Sequence, residues 1–155
     1  MRIQLVAILL IGSFVVFACN EQREGVLPSQ PELGKYQMEL KGNTFDLTHT
    51  IELKPSGNVL GWGIIKNAGD SKDLGYNYYF SGTYTLEDGV VSIFQESYFQ
   101  VGEAGKQYDS KEMLVLVQTR SASSDYSIKS NFTELHFICP PNSICLEDRI
   151  FKRVD

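Results

Sequence analysis

The chain has three cysteines and two histidines, and their spacing limits the chemistry they can perform. His49 and His136 are far apart and neither sits in an HExxH pair, so no histidine-based metal site is expected. No GxSxG nucleophile elbow and no phosphate-cradling glycine loop is present, and no catalytic residue, metal or cofactor is therefore expected. Cys139 and Cys145 bracket CPPNSIC. That spacing is not the CxxC of a redox catalyst, and no second Cys/His pair stands near it to complete a zinc site. A structural disulfide across a short turn is expected, which would restrict the unfolded chain by roughly 2 kcal/mol in the loop-entropy picture.

The third cysteine, Cys19, ends an apolar run from Leu5 to Ala18, about 14 residues. A membrane-spanning helix needs about 20, so the run has the length of a signal-peptide core, with Arg2 supplying the preceding positive charge. Val16-Phe17-Ala18-Cys19 resembles a bacterial lipobox, although Phe17 is bulkier than the usual residue there. The resemblance implies that residues 1–18 are a signal peptide and that Cys19 is acylated and anchors the mature chain to a membrane. Asn20 stands where some bacteria place the Asp that retains a lipoprotein in the inner membrane, so the same resemblance implies the outer membrane. With Cys19 lipidated, Cys139 and Cys145 remain as a pair, and no thiol of this exported chain is left over.

Loss of residues 1–18 removes only Arg2, leaving 13 basic against 19 acidic residues and a net charge near −6. No stretch concentrates Lys or Arg, so nucleic acid is not an expected partner. The acidic turns AGDSKD and LEDG lack the ligand register of a calcium loop. Residues 19–33, polar with Pro28 and Pro31, read as a flexible tether spanning on the order of 20 Å. Residues 34–155 then form one domain, long enough to bury a single core.

Along this domain a two-residue period dominates. Tyr36, Met38 and Leu40 share a face. In FDLTHTIELK, His49 lies among Phe45, Leu47, Ile51 and Leu53. VLGWGIIK groups Leu60, Trp62 and Ile64, and YNYYFSGTYTL groups Tyr76, Tyr78, Phe80 and Tyr84 around Gly82, a residue that signals a bulge or close approach. Asp88-Gly89 suits a hairpin turn. MLVLVQT, a stretch from about Tyr126 to Cys139, and CLEDRIFKRV complete about eight strands.

Eight such strands hide their edges by closing into an antiparallel up-and-down barrel, although a two-sheet sandwich gives the same alternation. Three short matches favour the barrel, because in this order the chain resembles a lipocalin. Gly34-Lys35-Tyr36 resembles the GxW of the first strand, Ser124-Asp125-Tyr126 the TDY of a later loop, and Arg149 the arginine that packs over the first-strand aromatic. The resemblance implies a calyx closed at the Tyr36 end, with Tyr36 and Arg149 at its base.

His49 on an apolar face must find a partner for its ring nitrogens, either a neighbouring Tyr or backbone carbonyl, or a ligand. The Tyr76, Tyr78 and Tyr84 hydroxyls are open to the same two readings, core filling or polar handles of a cavity, and Phe80 and Trp62 would be its walls. Two functions follow. One is an envelope lipoprotein holding a small apolar or amphipathic ligand in its barrel. The other is a solid barrel that binds or inhibits another envelope protein. Replacing Cys19 with serine tests the anchor common to both: Cys19→Ser is expected to leave the membrane fraction or to stay unprocessed. Normal cleavage with continued membrane fractionation would contradict it.

Overall fold

The computed structural model describes residues 32–118, 122–145 and 148–155. Cys19, residues 1–18 and most of the expected tether lie outside these residues. Among the described residues nine strands are present: β1 (Gly34–Leu40), β2 (Phe45–Leu53), β3 (Asn58–Asn67), β4 (Asp73–Glu87), β5 (Val90–Gln100), β6 (Val115–Gln118), β7 (Ala122–Lys129), β8 (Glu134–Ile138) and β9 (Ile150–Arg153). Eight of them close a ring in the order β1-β2-β3-β4-β5-β7-β8-β9 and back to β1, every pairing antiparallel. The domain is thus a closed eight-stranded barrel, and the sandwich alternative is set aside. β6 is the extra strand, paired with the end of β5 from outside the ring.

Register decides which side chains enter the barrel. Tyr36, Met38 and Leu40 stand opposite Ile51, His49 and Leu47. Those β2 residues, with Leu53, stand opposite Gly61, Gly63, Ile65 and Val59 of β3. Leu60, Trp62 and Ile64 consequently face outward, contrary to the expectation that Trp62 walls a cavity. The reason lies on the next strand. β4 sets Phe80 opposite Gly61 and Tyr78 opposite Gly63, and a β-carbon on Gly61 would overlap the Phe80 ring, as one on Gly63 would crowd Tyr78. Two large rings fill the interior because β3 offers no side chain beneath them, and the full burial of one such ring is worth about 2 kcal/mol.

Other departures have local causes. MLVLVQT supplies only the outer strand β6. The barrel recovers its eighth strand because the stretch from Tyr126 to Cys139 is divided into β7 and β8 by a turn at Ser130, Asn131 and Phe132, with φ of 51°, 54° and 65°. This turn carries no glycine to announce it. Ser124-Asp125-Tyr126 therefore lies within β7 rather than in a loop, and Arg149 precedes β9 rather than belonging to it. The Asp88-Gly89 turn has positive φ at both residues, as its type requires. The register shifts at Ser81/Gly82, where a β-carbon on Gly82 would strike the Phe94 carbonyl.

One end of the barrel is solid. Tyr36, Leu53, Val59, Tyr84, Val91 and Leu135 pack there with almost no exposure. The Tyr36 hydroxyl lies 3.0 Å from the Glu32 carbonyl and 3.1 Å from that of Phe132, and it shares its proton between them. Beside it Arg153 donates to the Leu33 carbonyl at 2.6 Å. Burial raises the Tyr36 pKa and the Arg153 charge opposes the rise. The basic partner of the first-strand aromatic is thus Arg153, and Arg149 is at the opposite end of the barrel. Gly61→Val should cost about 1–3 kcal/mol by overpacking, read as a lower urea midpoint with unchanged slope. Shortening the opposing ring in the same chain, Phe80→Leu, should recover part of that loss.

Candidate functional site

The other end is hollow. A cavity of about 440 Å³ opens there, walled by Met38, Leu47, Ile51, Phe80 and Phe151 and carrying polar groups from His49, Tyr78, Gln95, Tyr98, Tyr126 and Arg149. A vestibule of about 500 Å³ shares Met38, Leu40, Phe137 and Arg149 with it and is bounded by Pro140, Ile144 and Cys145. Arg149 therefore stands where the two spaces meet.

Two bulges sort the aromatic residues between this cavity and the rest of the molecule. On β4, Gly63 pairs with Tyr78 but Ile64 pairs with Tyr76, leaving Asn77 unmatched. The slip turns Tyr76 to the outer side with Ile64, so it does not join Tyr78 as expected. Asn77 is used instead to hold the outer segment, its side-chain amide donating to the Gln107 carbonyl at 2.8 Å. On β5 the shift beside Gly82 skips Glu96, so that Gln95 and Tyr98, three residues apart, both face inward. Tyr84 belongs to the solid end, where its hydroxyl donates to the Lys54 carbonyl at 3.3 Å. Of the expected cavity residues, His49, Tyr78 and Phe80 meet there, whereas Trp62, Tyr76 and Tyr84 do not. Tyr98, Tyr126 and Arg149 complete the site. Tyr126 and Arg149 stand in the tripeptide and the last segment already singled out, but for other roles; Tyr98 is hidden by the broken alternation.

The polar centre is the His49–Tyr78 pair, Nδ1 to hydroxyl 2.8 Å. Burial raises the Tyr78 pKa far above the usual range, so the phenol keeps its proton. Among the described residues Nδ1 is the one hydrogen-bond partner of that hydroxyl. With the hydroxyl donating, the His49 proton sits on Nε2. Among the described residues that nitrogen has no partner and yet is not among the sealed polar atoms, so it faces the cavity space. Burial, and secondarily the nearby Arg149 charge, lower the His49 pKa to about 4. Tyr126 is pushed up to about 12 by burial against the opposing influence of Arg149. The site is therefore neutral except for one guanidinium, whose carbon lies 5.5 Å from the Phe137 ring centre.

The rim is tied down covalently and by charge. Cys139 and Cys145 form the expected disulfide, with Cα atoms 6.0 Å apart, in the β8–β9 loop. Asp46 accepts from the Gly42 amide at 3.2 Å, the Gly69 amide at 3.1 Å and the Lys41 ammonium at 3.2 Å, joining two rim turns. Those contacts, the Gly69 amide foremost, hold its pKa below the usual carboxylate value. Among the described residues no three His, Cys, Asp or Glu side chains are grouped to hold a metal.

Fold and site together define a closed antiparallel barrel with one solid end and one open, polar-tipped end. Comparison with protein-family models, curated proteins and solved structures finds no match for the chain.

A neutral His49 makes stability depend on pH. Its folded pKa is depressed, so the unfolded chain binds the proton more readily, and the stabilisation present above about pH 6.5 drains away as pH falls toward 4. Proton NMR should show the His49 ring still largely neutral at pH 5. In Arg149→Gln its titration should move upward, and an unmoved titration would remove Arg149 from the site's electrostatics.

Proposed function

We propose that the chain is a lipocalin-like lipoprotein of the bacterial cell envelope, held to the outer membrane through acylated Cys19, and that its barrel binds one small apolar or amphipathic molecule. The observation that carries this reading is the hollow end, whose 440 Å³ falls within the range of small-molecule sites. Apolar walls with a few fixed polar tips are the usual construction of such sites. The lining is divided almost evenly between polar and apolar surface, so an amphipathic molecule can displace water from the carbon walls while its polar part meets the tips. The chemistry is binding without catalysis: the one histidine of the cavity is held neutral by burial and engaged by Tyr78.

The outer surface supports a second reading, an interaction module for another envelope protein. Trp62, Tyr79, Phe99 and Leu116 are successive partners across β3, β4, β5 and β6 and form an outward apolar row. Val115, Leu116 and Val117 beside it are about half exposed.

Titration of the full chain with the neutral fluorophore N-phenyl-1-naphthylamine separates the two. Emission of the probe itself is the signal, since Trp62 faces outward. A carrier should give a saturable one-to-one rise, and Leu47→Trp, which fills the cavity from its wall, should weaken binding at least about tenfold. A rise equally strong in Leu47→Trp would move the binding to the outer row, and the absence of any saturable rise would end the carrier reading.

A further inference from the structure

We infer that the molecule held in the barrel is an anionic amphiphile, a medium-length alkyl carboxylate whose head group meets Arg149 and the His49 Nε2–H while its tail lies among Leu47, Ile51 and Phe80. The inference rests on the carrier reading and adds the charge and size of the ligand.

Charge is argued from what the cavity's polar groups have left to offer. Arg149 borders both the cavity and the vestibule. Among the described residues its carbonyl accepts from the Phe137 amide at 2.9 Å, its guanidinium meets the Phe137 ring, and no carboxylate lies within ion-pair distance of it. Of the other charged groups at this end, Lys41 is committed and Asp148 is not. Lys41 is shared by Glu39 at 3.0 Å and Asp46 at 3.2 Å. Asp148, on the vestibule wall, is exposed and makes no ion pair with its neighbour. The His49 ring presents a second donor, because its acceptor nitrogen is used by Tyr78. Arg149 supplies donors only and, among the described residues, is the one charged residue of the cavity lining, which suits a carboxylate; Gln95, Ser124 and the tyrosine hydroxyls can accept as well as donate, so it is this charge, with the His49 N–H beside it, that sets an acid ahead of a cation.

Size follows from volume. At roughly 30 Å³ for each water-sized group, 440 Å³ admits about 15 non-hydrogen atoms. A ten-carbon acid fits, with its carboxylate at the mouth.

Calorimetric titration of the full chain with decanoate, decanol and decyltrimethylammonium tests this, since the three share a tail and differ in head charge. Decanoate should bind about tenfold or more tightly than decanol, the increment expected of a hydrogen bond to a charged group, and the cation should bind weakest. In Arg149→Gln the decanoate-to-decanol ratio should fall toward one, while Arg149→Lys, which keeps the charge, should retain part of it. Equal affinity for acid and alcohol in the unmutated chain, or preference for the cation, would overturn the inference and leave the carrier reading in place. Failure of all three to bind would overturn both.

Discussion

Closure of the barrel passes through four residues. Ile150–Arg153 must bond to β8 on one side, at Glu134 to His136, and to β1 on the other, where the register includes only Tyr36 with Arg153 and Gln37 with Lys152. A strand this short cannot be held by its ladder alone. Phe151 anchors it, standing opposite Leu135 in the core and meeting the Tyr126 ring edge-on at 5.8 Å between centroids. Arg153 locks its far end to the Leu33 carbonyl and to Asp155. Without this seam two strand edges would face solvent, and the cavity would lose the wall that carries Phe151 and Arg149.

The interior divides along its axis. Toward Tyr36 the core is dense and its polar groups are paired, so that end sets the stability of the fold. Toward Arg149 the walls stay apart, because glycines on β3 admit rings from β4 but nothing fills the space beyond them. Such a division lets one end tolerate emptiness. The rings of Tyr78, Phe80 and Tyr98 lie nearly parallel in sequence across β4 and β5, with centroids 6.4 Å and 5.6 Å apart, and they form a stiff wall rather than a collapsible one.

The alternating faces of β1 and β2 were legible because each apolar face there is unbroken by glycine or bulge, whereas the eight strands of the barrel were reached by two offsetting differences, MLVLVQT lying outside the ring and the stretch from Tyr126 to Cys139 supplying two strands instead of one. In β3 apolar residues occupy both faces, and periodicity chose the larger set, Leu60, Trp62 and Ile64, although Gly61 and Gly63 mark the crowded inner side. The signal was present but inverted: the small residues identified the interior. Tyr76 was misplaced by a one-residue slip at Asn77, which no local composition announces, and Tyr98 was hidden by another at Glu96, where Gly82 on the facing strand signalled a bulge but not which β5 residue it would displace. His49 and Tyr78 were found from local pattern, whereas their hydrogen bond spans β2 and β4 and depends on register no single segment contains. Arg149 was noticed for the wrong end, since a tripeptide match carries no information about where the last strand begins.

Gly34 and Asp155 lie side by side at the solid end, where the Lys35 amide donates to the Asp155 carboxylate at 2.9 Å. β1 and β9 are antiparallel neighbours, so a pulling force applied across these two residues acts perpendicular to the ladder and loads its hydrogen bonds one at a time. The seam then opens as a zipper does, at low force, instead of resisting in shear.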